Sequence, residues 1–222
     1  MSRPDPRTRP NGLSTTSYAI LGLLAVRPWS TYELAQQMDR SLGRIWPRAQ
    51  SKLYEEPKKL VALGLARAAA DRVGQRARTV YRITPKGRRT LSAWLAEPGS
   101  GPVLECEQLL QIFFAENGSR DDALATLVAT RRWARDRSAE SLAAGRQYLH
   151  GEGPFPERAA QLDLVGRFVT DFYAMVGTWA RWATTVVESW PDDPHDARTQ
   201  RSITEETVRR AARSARDDPD GA

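Results

Sequence analysis

Between Gln50 and Lys59 the chain sets Gln50, Ser51, Lys52, Tyr54, Glu55, Lys58 and Lys59 close together. A glutamine amide donates and accepts at once, which matches an adenine edge, and a carboxylate accepts from the cytosine amine. Lysine ammonium groups neutralise phosphate. A second basic group, Arg72, Arg76 and Arg78, surrounds Gly74, where guanidinium forks suit sequence-independent, salt-sensitive phosphate contacts. Ser14, Thr15 and Thr16 carry hydroxyls able to donate to a phosphate at a helix start, or simply to cap that helix. The chemistry available is polyanion recognition. Each of these side chains, taken alone, is equally well read as a solvated surface group.

Charge distribution supports the set. The whole chain carries +6 at neutral pH, but residues 40–95 hold 14 Lys and Arg against three acids, a net +11. The remainder is therefore net acidic at −5. A basic segment joined to an acidic one points to nucleic acid for the first, the alternative being an arginine-rich solvated surface. Other classes have little support. No apolar run approaches the roughly 20 residues of a membrane span. The start, MSRPDPRTRPNGL, lacks the apolar core of a secretory signal. One cysteine, Cys106, and two histidines, His150 and His195, make no zinc cluster and fit a reducing cytoplasm. Nucleophile-elbow, phosphate-loop and HExxH motifs are absent, so no catalytic residue, metal or cofactor is assigned.

An aromatic group in the C-terminal half invites a different chemistry. Phe113, Phe114, Trp133, Phe168, Phe172, Tyr173, Trp179 and Trp182 are either core and interface residues or the lining of a ligand site. Cys106 is read as a lone buried thiol in preference to a redox sensor.

These residues need elements to position them. STTSYAILGLLAV, residues 14–26, predicts a helix with serine and threonine caps at its start. Ser30 and Glu33 form a capping box opening a second helix anchored by Tyr32, Leu34, Ala35 and Met38. A third helix is expected from Arg48 to Leu63, with Gly64 as its terminator. Residues 65–68 and 79–83 then read as two short strands joined by a basic loop, and Thr84-Pro85 starts a fourth helix to Leu95. Pro98-Gly-Ser-Gly-Pro102 marks a boundary. Beyond it, helices are expected over 103–116, 119–149 and 156–190. The last carries a seam at 165, 169, 172, 176, 179, 183, 186 and 190, whose alternating 4–3 steps suit packing against another helix. Residues 1–12 read as a basic arm with Arg3, Arg7 and Arg9, and 191–222 as a polar tail able to form a loose surface helix.

On a helical wheel of 100° per residue, Leu53, Pro57, Leu60 and Gly64 of the third helix fall within about 40° of one line. This is the expected core face. Ser51, Glu55, Lys58 and Ala62 lie opposite. Proline at 57 is costly in a helix, about 3 kcal/mol, and predicts a kink that leaves the Leu53 carbonyl without its helical donor, or a restart of the helix. Glu56 is expected to turn inward or sideways toward a local arginine.

Three helices, a basic hairpin and a fourth helix predict a winged helix-turn-helix whose third helix enters the major groove. YAILGLLAVRPWSTYELAQQM, SKLYEEPKKLVALGLA and RTVYRITPKGRRTLSAWL resemble the PadR family of bacterial transcriptional regulators across about residues 13–97. One position departs: relatives often carry proline directly after the helix tyrosine, whereas here Glu55 stands there and proline follows at 57. The resemblance implies a fold that is mainly α (α+β), with an N-terminal winged helix over 13–97 bearing a two-stranded wing, and a C-terminal α-helical dimerisation domain over 98–190. It further implies a homodimer on a palindromic double-stranded DNA operator, repressing a nearby operon and released in many members by a small ligand. A winged helix used for protein interaction, and an architectural protein without sequence preference, remain the alternatives.

Overall fold

The computed structural model describes residues 12–46, 50–73, 76–99, 101–198 and 201–216, and excludes the side chains of residues 50–52, 73, 76, 77 and 216. Contacts divide the chain into two units between Pro102 and Val103.

The first unit holds α1 (Thr15–Val26), β1 (Trp29–Ser30), α2 (Thr31–Gln37), α3 (Gln50–Ala62), β2 (Ala66–Val73), β3 (Arg76–Ile83) and α4 (Pro85–Leu95). α2 runs on into a π-helical turn, Met38–Leu42. α1 is the central rod: Tyr18, Ile20, Leu21, Leu23 and Leu24 are all buried, as expected of a helix that is apolar nearly all round. Its start is closed by a capping box between Ser14 and Ser17. The expected box of Ser30 and Glu33 opens α2. Gly64, at φ +68°, ends α3: its N–H reaches the Val61 carbonyl and the next N–H, of Leu65, reaches Leu60, the Schellman pattern that favours glycine.

The hairpin is longer than expected. β2 and β3 pair antiparallel in register from Ala66 with Ile83 to Val73 with Arg76, so most of the expected loop is strand. β1 adds a third strand in the order β1-β3-β2, Trp29 pairing with Tyr81 and Ser30 with Val80. Two residues are too few to show a period, so sequence alone does not reveal β1. The Trp29 indole, buried here, donates to the Leu23 carbonyl at 2.8 Å, which also accepts from the Arg27 N–H at 3.4 Å, so β1 is fastened to the end of α1. Tyr32 is exposed and anchors nothing, while Leu34, Ala35 and Met38 are buried; the three buried residues fill the inward face of α2 without it. α4 begins at the expected Thr84 cap. Gly87 lies so close to β2 that a Cβ there would stand 2.1 Å from the Leu65 carbonyl oxygen.

The second unit is helical: α5 (Glu107–Phe113), α6 (Arg120–Leu149), α7 (Ala159–Glu188) and α8 (Arg201–Arg216). α6 and α7 form an antiparallel pair joined through Gly151 and Phe155, both at positive φ. Ala123, Leu127, Thr130 and Ala134 of α6 and Val169, Tyr173, Ala180, Ala183 and Val187 of α7 are buried. Of the expected seam only Val169 and Ala183 belong to this buried set; Val165 is exposed, and the rest are half-buried. The face is turned by about one residue because small side chains set the approach: a Cβ at Gly177 would lie 3.5 Å from that of Ala134. The larger aromatics are displaced to its edge. α8 is exposed along nearly its whole length, with Glu205 and Glu206 paired to Arg201, Arg209, Arg210 and Arg213 of the same helix. Among the described residues no helix is long and apolar enough to cross a membrane.

Candidate nucleic-acid interface

α3 runs unbroken through Pro57 and does not restart there. Leu53, Pro57 and Leu60 are buried, whereas Tyr54, Glu55, Lys58 and Lys59 are exposed. Proline has no N–H, so the Leu53 carbonyl lacks its donor four residues on. Three buried side chains at 53, 57 and 60 instead press the helix onto α1 and α2. Tyr54 is 40% exposed and presents a hydroxyl and a ring edge to solvent. The side chains of Gln50, Ser51 and Lys52, expected beside it, lie outside the described residues, as does that of Arg76.

Several expected contact residues are already engaged within the fold. Lys59 Nζ donates to the Gly12 carbonyl at 2.7 Å and stands 3.9 Å from Glu56, so it is a tie across the start of the unit in addition to a surface cation. Among the described residues Glu56 pairs with no arginine. It accepts at 2.7 Å from the hydroxyl of Ser17, a residue of α1 that is fully buried. α1 packs against α3 here and brings this hydroxyl to the carboxylate. At the start of α1, Ser14 is held in its capping box, and Thr16 accepts from the Trp46 indole at 3.0 Å. Thr15 is half-buried. The hydroxyl oxygens of Ser14 and Thr16, expected to donate to a phosphate or to cap the helix, here accept from the Ser17 N–H and the Trp46 indole.

The wing is equally divided. Arg78 is bound to Asp71 directly across the strands at 2.8 Å and reaches Glu33 of α2 at 3.6 Å, so it ties the hairpin to α2. Both carboxyls sit below their usual range: Asp71 through its hydrogen bond from Arg78, and Glu33 chiefly through its bonds from Ser30, with Arg78 adding attraction. Arg72 is exposed, opposite Ala77. Arg67 and Arg82 face each other in register, both exposed. Neither pairs with an acid among the described residues. Sequence reasoning missed these cross-chain ties because the partners lie 39 residues apart for Ser17 and Glu56 and 47 for Gly12 and Lys59.

The aromatic group separates into parts. Trp133 of α6 meets Tyr173 and Phe172 of α7 edge-on, at centroid distances of 5.3 and 6.5 Å. Trp179 packs against the core of Ala123, Leu127, Ala183 and Val187. Phe113 stacks edgewise on Phe114 and is 74% exposed, and Phe168 and Trp182 are exposed on α7. Cys106, expected to be buried, is half-buried at the residue before α5 and makes no side-chain cap bond; its thiol lies 3.5 Å from the Gln108 amide oxygen.

The model of the Transcriptional regulator PadR-like family matches residues 20–93. The Negative transcriptional regulator PadR of Bacillus subtilis (strain 168) is 31% identical over 108 residues, 48% of this chain and 59% of that protein. The chain thus spans about three fifths of the length of this curated relative. Bacillus subtilis PadR in complex with operator DNA has a similar structure, with a TM-score of 0.67 at 21% identity over 78% of this chain and 98% of that one. Bacillus subtilis PadR in complex with p-coumaric acid gives 0.62 at 22% identity, again over 78% and 98%. At these identities the structures establish the fold: a winged helix followed by a helical region. The family match runs from α1 into α4, across every element that carries α3 and the wing. The winged helix of this chain is a PadR-like transcriptional regulator family domain.

Proposed function

We propose that the protein is a homodimeric, sequence-specific DNA-binding transcriptional regulator that acts as a repressor. The observation that carries this reading is the seating of α3: Leu53, Pro57 and Leu60 are buried while Tyr54, Glu55 and Lys58 face solvent, in a segment of net charge +11. Tyr54 and Glu55, with Gln50, Ser51 and Lys52, read base edges. Lys58 and the wing arginines Arg72 and Arg76 neutralise phosphate. Ser14, Lys59 and Arg78, which also make internal bonds, and Thr15 at the start of α1 complete the proposed contact set. A relative of the same fold solved with operator DNA supports the assignment.

The helical unit, 98–190, serves self-association. Leu164, Phe168, Met175 and Trp182 are exposed on one line of α7, away from α6, and an isolated chain gains by covering them. Two winged helices related by a two-fold axis require a palindromic operator. The neighbour solved with p-coumaric acid supports a small aromatic effector; Trp133 and Phe172, with Phe113, Phe168, Trp179 and Trp182 around the same unit, are its candidate contacts.

The test is a gel shift with a palindromic fragment and its scrambled counterpart at several salt concentrations. Tighter binding to the palindrome, weakening steeply with salt, is expected. Equal binding to both fragments would leave an architectural protein, and no salt-dependent binding would leave a protein-interaction module.

A further inference from the structure

We infer that the first turn of α1 orients the reading face of α3, with Glu56 and Trp46 as positioning residues for sequence discrimination. The inference rests on the DNA-binding reading above. Two neighbouring hydroxyls of α1 hold the chain on either side of the start of α3. Thr16 Oγ1 accepts from Trp46 Nε1 at 3.0 Å, and Ser17 Oγ donates to Glu56 Oε2 at 2.7 Å. Both hydroxyls are buried, and the Glu56 side chain is only 16% exposed. A bond made away from water holds its geometry more firmly than a solvated one.

The support on which they stand is itself fixed. The Ser17 hydroxyl also accepts from the Ser14 N–H at 3.1 Å, while the Ser17 N–H reaches Ser14 Oγ at 3.2 Å. Ile20 and Leu21, one turn on, are fully buried. α1 has no acid in its first turn, so Glu56 supplies, from α3, the negative charge that the positive end of α1 favours.

α3 needs such a device because, apart from the Lys59 bond to the Gly12 carbonyl, its other anchors are non-directional. Leu53, Pro57 and Leu60 contribute apolar contact, which resists separation but permits rotation about the helix axis. Pro57 also removes one backbone bond between the half bearing Tyr54 and Glu55 and the half bearing Lys58 and Lys59. Side-chain hydrogen bonds to a rigid neighbour restore the lost definition. Glu56 faces α1 and not solvent, so it acts on DNA through the angle at which Tyr54 and Glu55 are presented.

The experiment uses the full chain, a DNA fragment enriched from a randomised pool, and a scrambled control, with affinities measured by fluorescence anisotropy. Glu56→Ala and Trp46→Phe should each lower the enriched-to-scrambled affinity ratio by about tenfold, the equivalent of one well-made base contact. Affinity for the scrambled fragment should stay within about twofold, because it depends on phosphate neutralisation. Glu56→Gln keeps an acceptor for Ser17 and should restore most of the ratio. A fall of both affinities together with the melting temperature would reduce the contact to a merely structural one and overturn the inference. An unchanged ratio in a wild-type background that discriminates would overturn it alone. A wild-type chain that binds both fragments equally removes the specific-binding reading and this inference with it.

Discussion

Arg78 and Asp71 face each other across β3 and β2, the guanidinium placing both Nε and Nη2 at 2.8 Å from one carboxylate oxygen. The same guanidinium leans toward Glu33, whose carboxylate also closes the start of α2. The outer part of the wing, a helix cap and a cation thus share one small network. Glu33 binds its proton more weakly folded than unfolded, since its folded pKa is lowered below 4.5. Its contribution is therefore complete above the ordinary carboxylate range and is lost as pH falls through the lowered folded value. Glu33→Gln should flatten the acid limb of stability, followed by circular dichroism below pH 4.5.

Arg72 and Arg78 should separate in DNA-binding experiments. Arg72 is exposed, so Arg72→Ala should reduce the slope of log affinity against log salt by about 0.9, the value for one phosphate contact. Arg78 is held by two acids, so Arg78→Ala should lower the melting temperature and leave the slope near wild type.

Pro57→Ala tests what the proline costs α3. The change restores an N–H to the Leu53 carbonyl and relieves the ring clash, against loss of some buried ring surface. The net expectation is a stabilisation of about 1–2 kcal/mol in urea titration. A loss of stability would mean that the ring's packing outweighs the backbone defect.

Gly87→Ala should do the reverse. Its new Cβ meets the Leu65 carbonyl at 2.1 Å and the Ile83 side chain at 2.9 Å. Overpacking against backbone of this kind costs about 1–3 kcal/mol, measurable as a lower midpoint in urea.

On α7, Phe168→Ser with Trp182→Ser should weaken self-association by at least about tenfold, as loss of aromatic anchors does at interfaces. Sedimentation at graded concentrations reads this directly. Both side chains are exposed in the single chain, so its helicity should persist.

Much of the first unit was legible because it depends on local rules. The Ser30–Glu33 box, the glycine stop at 64, the Thr84 cap and the inward line of Leu53, Pro57 and Leu60 each follow from residues a few positions apart, and each is present. What could not be read were bonds set by tertiary approach. Lys59, Arg78 and Glu56 look alike as surface charges, yet one reaches Gly12, one bridges to α2 and one turns to Ser17. α7 misled for a different reason. Its 4–3 spacing led to Val169 and Ala183, which are buried, but also to Phe172, Trp179 and Val186, whose neighbours Tyr173, Ala180 and Val187 are the buried ones.

The facing pair of Arg67 and Arg82 gives the wing opposed responses to dissolved ions. Like charges directly across two strands repel and work against the hairpin. Added salt screens that repulsion and tightens the free wing, while the same salt weakens its attraction to a polyanion. A polyanion bound at the wing would relieve the repulsion in place of the salt.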